Sequence, residues 1–270
     1  MVSNVGEANA VALVFVNTNA SKQFEPDFDD LARKLTSNTK GIIINSPSNP
    51  TGGVWSDSAV KKILTIAKEQ DIWIFSDECY EQLTYDVKYT STATLTNYTN
   101  KILTFQSCSK TYAMTGWRIG YTAGDSTVIK AMSKLQGQST SCPNSIAQVA
   151  AIEALSGDQS AVTKMRDAFK IRRNFIVDRL NSINGITCEM PGGAFYVFPN
   201  FGNYLGKSFN GKKINTSSDL SMYLLNEEAV VTVAGDSFGA PNNIRFSYAA
   251  SEEELNNALK RVENALKNLV

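Results

Sequence analysis

Ile102-Leu103-Thr104-Phe105-Gln106-Ser107-Cys108-Ser109-Lys110 passes from an apolar run into a polar one and ends on a lysine. The apolar part, 102–105, reads as a buried strand, and the polar residues after it stand where an open parallel sheet presents its carboxyl edge to ligands. Continuing the segment to Gly120 adds Arg118 between Gly116 and Gly120. Two hydroxyls, an amine and a guanidinium flanked by glycines suit a phosphate, because glycine lets the backbone approach closely and the guanidinium offers two parallel donors. A solvated strand-to-loop junction is the plainer reading of the serines and lysine taken alone.

Upstream, the same pattern recurs. Residues 10–16 and 41–45 are apolar runs of strand length, 27–35 and 58–70 have helical character, and 72–75 is a further buried strand. Strand 41–45 leads into Ser46-Pro47-Ser48-Asn49-Pro50-Thr51-Gly52-Gly53, a rigid turn in which Asn49-Pro50 is a candidate for a cis bond. Strand 72–75 leads into Ser76-Asp77-Glu78-Cys79-Tyr80. Alternating strands and helices predict an α/β fold with a mostly parallel sheet and flanking helices. Three successive strands then deliver Asn49, Asp77 with Tyr80, and Ser107, Ser109 and Lys110 to one sheet edge. Asp77 alone is readable as a helix cap. Beside the others it is the carboxylate that a protonated pyridine nitrogen needs, with Asn49 and Tyr80 able to hydrogen-bond a phenolic oxygen on the same ring.

Composition bounds the chemistry. The 270 residues are enough for one large domain or two modest ones, and 43% hydrophobic with 19% charged residues is globular. Lys+Arg and Asp+Glu balance at 26 each, so net charge recruits neither nucleic acid nor an anionic membrane. Without a signal-like or membrane-spanning run the expected location is cytoplasmic. Cys79, Cys108, Cys142 and Cys188 are widely spaced, which predicts free thiols and no zinc site. The sequons at Asn19, Asn97 and Asn215 carry little weight without a secretory signal. There is no histidine, so an enzyme of this composition uses Lys, Tyr, Asp or Glu for proton transfer.

The segments 45–52, 76–85 and 107–121, with Gln138-Ser139-Thr140-Ser141-Cys142-Pro143, Gly192-Gly193-Ala194-Phe195-Tyr196 and Ile244-Arg245-Phe246-Ser247-Tyr248-Ala249, together resemble the class I and II aminotransferases. These are pyridoxal-phosphate enzymes of fold type I, and the likeness is strongest to the bacterial aspartate-aminotransferase-like branch. The resemblance implies a Schiff-base role for Lys110, which also shuttles the substrate proton, and an Asp77 that keeps the pyridinium nitrogen protonated. It implies that Asn49 and Tyr80 hydrogen-bond the ring oxygen, that Ser107, Ser109 and Arg118 bind the phosphate, and that Arg245, with Asn49, receives the substrate carboxylate. The implied function is amino-group transfer between an aspartate-like amino acid and a 2-oxo acid, in a homodimer without nucleic-acid or membrane partners. A lyase of the same fold, or a catalytically silent binding domain, is the alternative. The choice of donor and acceptor is unreadable, because Arg245 addresses a carboxylate common to all amino acids.

The remaining elements follow from periodicity: helices at 126–136, 145–155 and 159–180, then strands at 194–198, 230–233 and 244–248 and helices at 218–226 and 251–269. This divides the chain into a partial large cofactor-binding domain, 1–157, and a small C-terminal α+β domain, 158–270. Lys164, Arg166, Lys170, Arg172 and Arg173 read as a solvated helix face, Ser251 with Glu254 as a capping box, and Asn210-Gly211 as a tight turn. The family pattern starts well before the point where this chain enters it. The expectation is a fragment or a short form lacking the arm, the first strands, a phosphate-binding helix end and the aromatic residue stacked on the cofactor ring. The sheet would then have a gap between 10–16 and 41–45, and cofactor binding by this chain alone would be weak.

Overall fold

The computed structural model describes residues 11–270. Short strands β1 (Thr18–Asn19) and β2 (Glu25–Pro26) pair antiparallel ahead of α1 (Phe28–Lys34), whose N-cap Asp27 accepts from the amides of Asp29 and Asp30. Residues 11–16, expected as a strand, join no ladder, and Val11 and Phe15 are 72% and 79% exposed. Ala10, the first residue of that expected strand, lies outside the described residues. An apolar run becomes a strand only where a neighbour takes its backbone hydrogen bonds, and none of the described strands flanks this one.

The main sheet has the order β3 (Gly41–Asn45), β4 (Trp73–Asp77), β5 (Ile102–Ser107), β6 (Gly120–Ala123). The first three are parallel, as expected from the alternation with α2 (Asp57–Glu69), and β6 is antiparallel to β5. Between β5 and β6 lies the one-turn α3 (Cys108–Thr111). β6 was not anticipated, since Gly-Tyr-Thr-Ala is too short to stand out as an apolar run. Period-two alternation sorts the faces. Ile44, Ile74 and Ile102 bury against α2, whose Val60, Ile63, Leu64 and Ala67 recur at helical spacing. On the opposite face are Ile43, 62% exposed, Phe75 and Phe105, the two aromatic rings stacked 6.4 Å apart.

Helices α4 (Ser126–Ser139), α5 (Ser145–Ser156) and α6 (Ser160–Asn181) follow, with α6 leading into a second core. That core contains the antiparallel sheet β10 (Val233–Ala234), β11 (Ile244–Ser247), β7 (Tyr196–Val197), with α7 (Ser217–Glu228) and α8 (Glu252–Lys267) packed on it. Strands β8 (Ser208–Phe209) and β9 (Lys212–Lys213) are joined by Asn210-Gly211, both at positive φ as a tight hairpin turn requires. The Ser251/Glu254 capping box is formed, and Leu255, Leu259, Val262, Ala265 and Leu266 make the buried face of α8. Tyr80, Leu83 and Tyr85, which follow β4, are buried in this second core and tie it to the main sheet.

The cationic stripe on α6 is not uniformly solvated. Arg173 is only 4% exposed: its guanidinium donates to Pro191 O at 3.1 Å and Asp86 Oδ2 at 2.7 Å, and lies over the Tyr85 ring at 5.0 Å. Lys170 also pairs with Asp86, and these two cations, Lys170 foremost, hold the Asp86 carboxyl below its usual range. Helical spacing alone does not report this, because Tyr85 and Asp86 come from a loop more than eighty residues upstream and Pro191 from beyond the end of the helix. Arg173→Ala is expected to cost roughly 2 to 3 kcal/mol in urea unfolding, since it strands a buried carbonyl and empties packed space. A loss within the ±0.5 kcal/mol typical of surface changes would restore the solvated-face reading.

Candidate active site

Asp77 ends β4 and Asn45 ends β3, in register with each other, and period-two alternation puts both on the open face of the sheet. Asn45 Nδ2 donates to Asp77 Oδ2 at 3.0 Å, while Asn45 Oδ1 accepts from the Asn49 amide at 2.8 Å. Asp77 Oδ1 accepts from the Cys79 amide at 3.2 Å. The carboxylate is thus fixed at the floor of a cavity of about 550 Å³ lined by Ile43, Phe75, Asp77, Cys79, Phe105, Gln106 and Ser107. The Cys79 thiol is pushed up to about 12, by burial first and then by the charge of Asp77, which favours its neutral form.

The turn after β3 carries Asn49, and the peptide bonds Ser46-Pro47 before it and Asn49-Pro50 after it are both cis. Asn49 Oδ1 accepts from Arg245 Nη1 at 2.7 Å, which brings β11 of the second core to the same edge. The Arg245 guanidinium lies 4.6 Å from the centre of the Tyr196 ring, and the Tyr196 hydroxyl is 3.0 Å from that of Tyr80. Lys110 Nζ sits 5.9 Å from the Tyr80 ring centre and 5.6 Å from that of Phe195. Burial, foremost, raises the Tyr80 phenol well above its ordinary value, so it keeps its proton. Asp77, Asn45, Asn49, Arg245, Tyr196 and Tyr80 therefore form a continuous set of contacts with Lys110 at its side.

Ser107 caps α3: its hydroxyl accepts from the Ser109 amide at 3.1 Å, and Ser109 is nearly buried. Arg118 is exposed, in the left-handed region at φ 53°, and its Nη1 donates to the Thr115 carbonyl at 3.0 Å rather than to either serine. The two glycines around it differ in use. A Cβ on Gly120 would lie 2.6 Å from Gln106 O across the β5/β6 ladder, whereas Gly116 has open space around it. Close approach at Gly120 therefore serves the sheet.

Two members of the set, Asn45 and Tyr196, were not singled out from the sequence. Asn45 had a usable signal: it stands at the end of the β3 run as Asp77 stands at the end of β4, and parallel register pairs them. Tyr196 lies inside the Gly192 to Tyr196 motif, but its contacts with Tyr80 and Arg245 are tertiary. Lys110, Asp77, Tyr80, Asn49 and Arg245 are brought to one edge, Ser107 and Ser109 meet at the start of α3, and Arg118, next to the Ile119 carbonyl that accepts from Ser107, bonds to the Thr115 carbonyl.

The family profile of aminotransferase class I and II matches residues 1–262. A probable aspartate/prephenate aminotransferase of Rhizobium leguminosarum bv. phaseoli is 42% identical over 92% of this chain and 63% of the relative. The aspartate aminotransferase of Geobacillus stearothermophilus is 41% identical over 94% of this chain and 64% of the relative. Among solved structures, the aspartate aminotransferase from Rhizobium meliloti superposes with a TM-score of 0.88 at 39% identity, over 93% of this chain and 64% of that one. The aromatic aminotransferase from Pyrococcus horikoshii OT3 gives 0.87 at 36% identity, over 94% and 67%. The chain spans about 63% of the length of the Rhizobium leguminosarum relative.

Proposed function

We propose, from the premise that this chain belongs to the class I and II aminotransferases, that it carries out pyridoxal-phosphate-dependent transfer of an amino group from aspartate or a related amino acid to a 2-oxo acid. The observation that carries the reading is the continuous set of contacts linking Asp77 through Asn45 and Asn49 to Arg245, with Lys110 against Tyr80. The donor set fits the cofactor: a carboxylate for a ring nitrogen, a phenol and an amide for a ring oxygen, hydroxyls for a phosphate and an amine for an aldehyde. Pyridoxal phosphate, when bound, supplies an electron-poor ring that accepts the electron pair released at the substrate Cα.

This chain's residues would do the rest. Lys110 would supply the amine that holds the cofactor at rest and, once displaced by the substrate's amine, the base that moves a proton at the substrate Cα, the work a histidine-free chain must give to another group. Asp77 would hold a proton on the ring nitrogen. Tyr80 and the Asn49 Nδ2 donate to the ring oxygen, the Asn49 Oδ1 being already engaged by Arg245. Ser107, Ser109 and Arg118 would take the phosphate, Arg118 with the donors that its bond to the Thr115 carbonyl leaves free. Arg245 keeps donors free for a bidentate grip on the α-carboxylate. The reading keeps 1–157 as the cofactor-binding part and 158–270 as the C-terminal part of a cytoplasmic homodimer. The dimer is supported by the exposed Leu135, Ile146, Val149 and Ile152 on α4 and α5, 65 to 72% accessible. No described helix is long and apolar enough to cross a membrane.

The test is a panel of amino donors with 2-oxoglutarate on the cofactor-loaded chain. Aspartate or an aromatic amino acid is expected to give the fastest turnover. Cofactor release with elimination products and no amino transfer would replace this reading with that of a lyase.

A further inference from the structure

We infer that Tyr196 is a positioning residue for this site: its hydroxyl donates to Tyr80, leaving the Tyr80 O–H free to point at the cofactor's ring oxygen. The inference rests on the cofactor reading above and adds a residue to it.

Tyr80 and Tyr196 are 3% and 6% exposed, and their oxygens are 3.0 Å apart. A phenol has one proton to give, so in a buried pair one hydroxyl donates and the other accepts. The neighbouring cations decide which. The Arg245 guanidinium lies 4.6 Å from the Tyr196 ring centre, whereas among the described residues the cation over the Tyr80 ring is the Lys110 amine at 5.9 Å. A cation over the ring draws electron density from the phenol, which strengthens its O–H as a donor and weakens its oxygen as an acceptor. Arg245 is closer and permanently charged. Tyr196 is therefore the donor of the pair and Tyr80 its acceptor, and the Tyr80 proton must find a partner elsewhere.

The mounting is rigid. Tyr196 lies on β7, opposite Ser247 of β11, the strand that carries Arg245, and its ring packs edge-on against Tyr80 at 5.9 Å. Tyr196 thus sets the Tyr80 hydroxyl relative to the strand that holds Arg245, and it does so through one hydrogen bond that phenylalanine cannot make.

The experiment is a pH titration of the visible absorbance band of the cofactor-loaded chain, in wild type, Tyr196→Phe, Tyr80→Phe and the double variant, with thermal midpoints alongside. A donor on the ring oxygen draws off its negative charge and lowers the pH at which the neighbouring nitrogen sheds its proton, so a weaker donor raises the midpoint. Tyr196→Phe, which keeps every ring contact, is expected to raise the midpoint by about half a pH unit with the thermal midpoint nearly unchanged. Tyr80→Phe should raise it further, and the double variant should match Tyr80→Phe. An unmoved midpoint in Tyr196→Phe beside a moved one in Tyr80→Phe would overturn the inference and leave the cofactor reading intact, as would an additive double variant. A wild type without any visible band would overturn the cofactor reading itself, and this inference with it.

Discussion

Lys110→Ala is expected to lower amino transfer by about 10⁴-fold or more and to remove the covalent attachment of the cofactor altogether. The lysine is asked to do two jobs, and alanine does neither. Proton transfer by a positioned base is worth roughly 10² to 10⁴ in rate, and no histidine exists in the chain to take it over. Position explains why this lysine is the one. It lies on α3 directly after β5, at the edge where Asp77 and Tyr80 leave β4, with its amine facing the rings of Tyr80 and Phe195. The measurement is turnover with the best donor of the panel, together with the visible band. Turnover within tenfold of wild type would show that another amine carries the chemistry.

Asp77→Asn should leave the cofactor bound and slow proton removal from the substrate by about 10² to 10³-fold, the usual cost of losing one preorganised electrostatic partner. The substitution does more than remove charge. Asp77 accepts from both Asn45 Nδ2 and the Cys79 amide, and an amide at 77 has only one accepting oxygen for these two donors. Asn45 cannot turn over freely to help, because its own oxygen is held by the Asn49 amide. The double variant Asn45→Asp with Asp77→Asn separates the two effects. It restores a donor at 77 facing an acceptor at 45, but moves the charge to the neighbouring strand. Single-turnover decay of the substrate Cα–H, read by stopped-flow absorbance, is expected to stay slow in both variants. Recovery in the double variant would mean that hydrogen-bond repair suffices and that the charge on Asp77 is not what drives the step.

The sequence made these two residues legible because each follows a buried strand, and a parallel sheet brings all such strand ends to one edge. Strands β3, β4 and β5 and helices α2, α6 and α8 stand close to where apolar periodicity puts them. What failed shares one physical cause: contacts made far along the chain. Residues 11–16 have the composition of a strand but no described neighbour to pair with, and β6 is a strand only because β5 lies beside it. Arg173 reads as a surface cation until Asp86 and Pro191 close over it. Asn45 and Tyr196 join the site through register and tertiary contact, which composition does not carry. The family resemblance fills part of that gap, and the profile match over residues 1–262 bears it out.

The central claim is that Lys110 is the residue joined to the cofactor, and one measurement addresses it most directly. The chain is loaded with pyridoxal phosphate, reduced with borohydride and digested, and the cofactor mass is located by peptide sequencing in a mass spectrometer. The account predicts one modified peptide, with the added mass on Lys110. Modification of a different lysine at comparable occupancy, or a bound cofactor that borohydride leaves unattached, would contradict it.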